Sequence, residues 1–429
     1  MMKEKEMKRV PKLRFPEFTD DWEQRKVGKL VEDGIIDAPL DGNHGEKHPT
    51  ADEYVDDGIP FLMASDIHNG IVDIVLCKHI TPERAERLDK GFARNGDVLI
   101  THKATIGETA ILQDLKTPYA VLTPQVTYYR IQNEEKLNRK YLYAYFNSRE
   151  FQNDLKAKAA QSTRPYIGIS AQQNLLVYLP SKLKEQEKIG EYFCNLDHLI
   201  TLHQRKLEKL KELRKGVMKK LFNQEVRFKA DDESEFPEWE KKKIGDVFSQ
   251  IKDKNKDGRN QNVITNSAEF GLINQRDFFD KDIAVDGKTE NYTVIKTGDF
   301  VYNPRKSKQA PYGPFNCYQL EENGIVSPLY TCLRPKSNVN DKYLLWYFKS
   351  GSWYRFIYEN GAQNGARHDR VGMTDSLMQE IPVYLPQAVE EQQKIADCLS
   401  TLDDVIEKQK ETLAAWEELK KGLLQQMFV

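Results

Sequence analysis

Two stretches of this 429-residue chain place apolar residues at alternating spacings of three and four, the seam of a coiled coil. The first runs Ile189, Phe193, Leu196, Ile200, His203, Leu207, Leu210, Leu213, Val217, Leu221. The second keeps step: Ile395, Leu399, Leu402, Ile406, Gln409, Leu413, Trp416, Leu419, Leu423, Met427. Burying about 20 such side chains at roughly 1.5–3 kcal/mol each yields tens of kcal/mol before entropy, so neither helix would leave its stripe in water. Pro180 and Pro386 stop the strands before them, and no proline interrupts either seam. Each helix can therefore run about 39 residues, or roughly 58 Å. His203 and Gln409 occupy the same seam step, where a polar residue fixes register. No second ligand sits four residues after His203, which argues against a metal there.

The segments before each helix carry short β-type runs, such as 97–101 and 300–303, punctuated by Gly, Pro and Asn. They predict mainly β domains with a few helices, one of them over 139–153. These segments also repeat one another. Phe15-Pro16-Glu17, Trp22-Glu23 and Val27-Gly28 return as Phe236-Pro237-Glu238-Trp239-Glu240 and Ile244-Gly245. Asn95-Gly96-Asp97-Val98 answers to Thr297-Gly298-Asp299-Phe300, and Lys140-Tyr141-Leu142 with Tyr145-Phe146 to Lys342-Tyr343-Leu344 with Tyr347-Phe348. Val177-Tyr178-Leu179-Pro180, Glu185-Gln186 and Lys215-Gly216 recur as Val383-Tyr384-Leu385-Pro386, Glu391-Gln392 and Lys421-Gly422. A period of about 200 residues means two related domains rather than a solenoid. The chain reads as an α+β protein: a tail at 1–14, a globular domain at 15–182, a helix at 183–222, a polar linker at 223–235, a second globular domain at 236–388 and a second helix at 389–429.

The composition, 39% hydrophobic and 30% charged, suits two ordinary domains. The charged opening lacks the apolar run of a signal peptide, and no stretch reaches the about 18 apolar residues of a membrane span. A soluble, cytoplasmic protein is expected. Cys77, Cys194, Cys317, Cys332 and Cys398 are scattered and odd in number, which predicts reduced packing residues rather than disulfides or a zinc site. A formal net charge of −2 excludes a protein that coats nucleic acid by bulk attraction; any contact with it is local, or partners supply the positive charge. Catalytic signatures are missing. Asn303-Pro304-Arg305-Lys306 starts like the Asn-Pro-Pro-aromatic loop of adenine methyltransferases but has the wrong third and fourth residues, and no Gly-x-Gly turn precedes it. Gly42-Asn43-His44-Gly45-Glu46-Lys47 lacks the Gly-Lys-Ser/Thr ending of a phosphate loop and reads as a recognition or structural loop. His44 and His48 lie among glycines and Pro49, so their spacing does not imply a shared metal.

Two globular copies, two matching helices and no catalytic centre are the organisation of the specificity subunit of type I restriction-modification systems. The local strings agree: Pro11-Lys12-Leu13-Arg14-Phe15-Pro16-Glu17-Phe18 through Trp22-Glu23 resembles the family's opening. The Leu-Pro then Glu-Gln-x-Lys-Ile strings at 179–189 and 385–395 resemble its domain-to-helix junction. The resemblance implies two target recognition domains, each reading one half of an asymmetric DNA site, joined by an antiparallel coiled coil with Ile189, Leu196, Leu207, Val217, Ile395, Leu402, Leu413 and Leu423 in its seam. It further implies partners: double-stranded DNA, two methyltransferase subunits and, in the full complex, restriction subunits. S-adenosylmethionine, ATP and magnesium would be bound by those partners, with no cofactor and no catalytic residue in this chain. Candidate DNA contacts lie in loops at corresponding positions: Thr101, His102 and Lys103 beside Asn303, Arg305, Lys306 and Lys308, then Ser162, Thr163 and Arg164 beside Asn364, Arg367, His368 and Arg370. Their donor-rich side chains suit base edges or phosphates. The competing readings are a coiled-coil scaffold whose heads bind proteins, and an independent methyltransferase or nuclease.

Overall fold

In the computed structural model, which describes residues 10–159, 165–278, 289–360 and 369–428, the chain forms two compact units. One comprises Met1–Lys206 with Gln409–Val429, the other Leu207–Lys408. Each contains one globular domain and parts of both long helices, Leu183–Phe222 and Val389–Gln426.

The two globular domains share the arrangement of their central strands, although the sheet around the parallel pair has five strands in the first and four in the second. In the first, Val98–Lys103 lies between Thr105–Ile111 and Val126–Tyr129; in the second, Phe300–Tyr302 lies between Phe315–Cys317 and Thr331–Pro335. A further sheet in each is built around one parallel pair, Ile59–Leu62 with Ala120–Leu122 and Val263–Ser267 with Gly324–Val326. The strand that opens each domain pairs antiparallel with the one that closes it: Glu23 faces Leu179, and Glu240 faces Leu385.

The repeated strings turn out to be the frame. Gly96 and Gly298 hold φ of +94° and +89°, a left-handed conformation natural to glycine. The aspartate after each is buried and takes a two-pronged arginine: Asp97 from Arg130 at 2.9 and 2.7 Å, Asp299 from Arg334 at 2.7 and 2.8 Å. The Tyr141 and Tyr343 hydroxyls donate to the carbonyls of Tyr178 and Tyr384, and those of Tyr145 and Tyr347 to Leu176 and Pro382. Helix and closing strand are thus pinned twice in each copy. Glu185 and Glu391 clamp Arg14 and Arg227, each through both carboxylate oxygens. Gln186 and Gln392 accept from the backbone of Asn138 and Asn340 and donate to Pro180 and Pro386. Those asparagines in turn cap the following helices, supplying an acceptor to an orphan N–H.

Three expectations change. Residues 139–153 are not one helix: Arg139–Phe146 ends at Asn147, whose amide donates to Tyr143 and Thr109, and Arg149–Ala159 begins anew with the Ser148 hydroxyl accepting from Phe151. The polar stretch 223–235 is more than a tether. Arg227 is clamped and Phe228 packs on the second core, as Arg14 and Phe15 do on the first. Finally, neither core is complete within its own repeat: Leu424, Met427 and Phe428 close the first, Leu221 and Phe222 the second.

Within each unit the helices run antiparallel. Gln409 donates to both Nδ1 and the carbonyl of His203, at 2.8 and 3.1 Å, so the two polar seam residues meet. Lys420 pairs with Asp197 in the first unit, and Arg214 with Asp403 in the second. Ile189, Leu196, Leu207 and Ile395 are buried, and Val217, Leu402, Leu413 and Leu423 half-buried. Leu213 and Leu419 are exposed, at 52% and 45%, and leave the seam; the basic residues Arg214 and Lys420 stand half-buried beside them and carry the cross-helix ion pairs. All five cysteines are free thiols, and burial pushes those of Cys317 and Cys332 up to about 12. Among the described residues no helix is long and apolar enough to cross a membrane.

Candidate nucleic-acid interface

Of the fourteen candidate contacts, Ser162, Thr163, Arg164, Asn364, Arg367 and His368 lie outside the described residues. The described chain that follows them meets the other candidate loop in both domains. In the first, the backbone N–H of Ile167 donates to the His102 carbonyl at 3.1 Å, and Lys103 bridges Tyr166. In the second, Val371 donates to Pro304 at 2.8 Å, Lys306 to Asp369 at 2.8 Å, and Arg305 bridges Arg370. Each domain thus joins its two candidate loops by backbone contact, a meeting that the correspondence between the repeats does not by itself predict.

Thr101 and His102 lie within the strand Val98–Lys103 and are fully enclosed, which corrects their reading as exposed loop residues available to DNA. The Thr101 hydroxyl accepts from the N–H of Glu108 at 3.0 Å, spanning a register shift in the hairpin. His102 Nδ1 lies 3.0 Å from the Ile167 carbonyl, while Nε2 is buried without a hydrogen-bond partner among the described residues, 4.0 Å from Asp41. Burial holds the His102 imidazole below its ordinary pKa, against the Ile167 carbonyl and Asp41. For Asp41, burial works to raise the carboxyl, yet hydrogen bonds from Lys90 and His44 outweigh it and hold the group below the usual range. No motif announces this cluster, because its members meet only through folding.

Lys103, Arg305, Lys306 and Lys308 are exposed and Arg370 is half-buried; none pairs with a carboxylate among the described residues. That sets them apart from cations such as Arg84, Arg130 and Arg334, which are engaged. Asn303 faces its own loop, accepting from Arg305 N–H at 3.0 Å and donating to Asn266 O at 3.2 Å, so it shapes the turn that carries the cations. The Arg370 Nε is buried without a partner among the described residues. The loop 42–47 is anchored at its start, with Gly42 and Asn43 buried and 44–47 exposed. A Cβ on Gly42 would stand 1.7 Å from the Leu122 carbonyl, and the buried Asn43 amide ties it to Lys90 and Asp89. Tyr166, absent from the sequence-derived set, is an aromatic left 40% exposed opposite Lys103.

The chain thus holds two like β-rich domains, each followed by a long helix, with Lys103 of the first and Arg305, Lys306, Lys308 and Arg370 of the second at corresponding places and free of carboxylate partners among the described residues. Comparison with known proteins places it. The sequence matches the type I restriction modification DNA specificity domain over residues 19–212 and 237–415, and the chain belongs to that family. It is 26% identical over 439 residues to a putative type I restriction enzyme MjaX specificity subunit of Methanocaldococcus jannaschii, covering 96% of this chain and 94% of the relative. Its fold is similar to the S subunit of the type I restriction-modification system of M. genitalium, with a TM-score of 0.58 at 14% identity over 98% of this chain and 99% of the other. A second solved structure, from a study of complex assembly in the type I R-M system, gives a TM-score of 0.51 at 16% identity over 95% and 97%.

Proposed function

We propose that this chain reads an asymmetric, bipartite site on double-stranded DNA, one half per domain. It thereby directs adenine methylation or restriction by partner subunits, in the cytoplasm. The observation that carries this reading is the recurrence of cations without carboxylate partners on one loop pair in both domains, above frames that are otherwise alike. A common frame sets position, and side chains that differ between the loops set sequence, the division seen between phosphate and base contacts. The family placement supports it.

The chain itself is non-catalytic on this reading: methyl transfer and nucleolysis belong to two methyltransferase subunits and to restriction subunits, which bind S-adenosylmethionine, ATP and magnesium. Both long helices carry outward apolar side chains at matching positions, Leu199 with Val405 and Leu213 with Leu419, all between 38% and 52% exposed. Matching apolar positions on two helices suit two copies of one partner. Co-expression with a methyltransferase subunit, followed by genome-wide mapping of methylated adenines, tests the proposal. Methylation at a split sequence that vanishes without this chain is expected. A stable complex indifferent to DNA would favour the protein-binding scaffold, and methylation by this chain alone would overturn the non-catalytic assignment.

A further inference from the structure

Resting on that reading of DNA recognition, we infer that Lys103 and Tyr166 form the base-reading pair of the first domain, and that Arg305 and Arg370 are its counterpart in the second. The antiparallel bridge is made twice at equivalent places, Lys103 with Tyr166 and Arg305 with Arg370. Residues opposite one another in an antiparallel pair send their side chains to one face. Strand alternation sends their neighbours the other way: His102 and Ile167 are buried beneath the first pair, and Val371 beneath the second. Each domain therefore presents a two-residue set fixed to the frame by backbone hydrogen bonds.

Tyr166 is the discriminating member. A lysine or arginine on a surface loop can serve a phosphate equally well, as can a phenol hydroxyl, but the apolar ring face of Tyr166 offers a contact that only a base can use. Its ring leans on His102, with 5.6 Å between centroids at 45°, and that imidazole is held by the Ile167 carbonyl. The face is thus braced from below. The chemistry of the two sets differs as two unlike half-sites require. Two guanidinium forks match the paired acceptors of guanine, whereas an ammonium beside a phenol ring combines a donor with an apolar surface suited to the methyl of thymine.

The test uses the full chain co-expressed with its methyltransferase partner, comparing methylation maps and melting temperatures of the wild type, Tyr166→Ala and Arg370→Ala. Tyr166→Ala is expected to relax one or two positions of one half-site, lowering discrimination there about 5- to 150-fold, with the other half-site and the melting temperature unchanged. Arg370→Ala is expected to relax the opposite half. A map unchanged by either substitution overturns the inference, as does uniform loss of methylation with a lowered melting temperature, which assigns a structural role. Absence of chain-dependent methylation in the wild type would refute instead the DNA-reading function on which the inference rests.

Discussion

Two of the residue pairs that join the helices to their domains are charged yet buried. Arg14 and Glu185 keep 9% and 1% of their side-chain surface, Arg227 and Glu391 16% and 0%. Removing one partner leaves a buried charge uncompensated, a loss of about 3–5 kcal/mol. Arg14→Ala and Arg227→Ala should each lower the denaturation midpoint by that much, while a control at an exposed residue such as Lys29 should not; unchanged midpoints would show that the clamps are ornamental. The imidazoles of His102, buried, and His48, half-buried, give a second expectation. Burial pushes both below the ordinary value, for His102 in surroundings that include Asp41, His44 and Lys103, for His48 with Arg84 and His44 nearby. The folded domain thus holds these rings neutral where the unfolded chain takes up protons, near pH 6.5. Their stabilising contribution is complete above about pH 6.5 and is lost as the pH falls below it. Melting curves between about pH 7.5 and 5.5 should show this decline flattened in a His102→Gln, His48→Gln variant.

At the scale of the element, the seam is legible in the sequence because heptad spacing needs no knowledge of the partner. It fails at Leu213 and Leu419, where Asp403 and Asp197 draw Arg214 and Lys420 into the cross-helix ion pairs. Those acids lie 189 and 223 residues away in the chain. The repeated strings are likewise visible as repeats, but their work is not: nothing near Asp97 announces Arg130, and nothing near Tyr141 announces the Tyr178 carbonyl. Thr101 and His102 mislead for the same reason, since composition marks them as donors and only the sheet decides that they face inward. The two classes of leucine separate experimentally. Leu207→Asp with Leu413→Asp places carboxylates in a buried and a half-buried seam position and should destabilise the protein by several kcal/mol. Leu213→Asp with Leu419→Asp should leave the melting temperature nearly unchanged and abolish co-purification with the methyltransferase subunit. Retained co-purification would remove these leucines from the docking surface.

For the molecule as a whole, the crossed completion of the cores sets the rule for exchanging parts. Residues 15–180 contain the frame and loops of the first reader, but Leu424, Met427 and Phe428 close its core from the far end of the chain. Exchange of 15–180 for the matching segment of another member of the family should therefore change one half of the methylated sequence and leave the other intact only where the recipient accepts that helix end. Alteration of both halves together would refute separate readers. A related consequence comes from how the first residues are held. The N–H of Leu13 donates to the Gln426 carbonyl at 2.9 Å, and at the matching place Glu225 and Val226 donate to the Lys220 carbonyl at 2.9 and 3.4 Å. The same joint is made once by a covalent linker and once by a non-covalent contact, so the parts follow one another in a cyclic order. A permuted gene that opens the chain between 223 and 226 and joins 428 to 12 through a few residues should yield a protein with the same melting temperature and the same methylation map, its two half-sites now encoded in the opposite order.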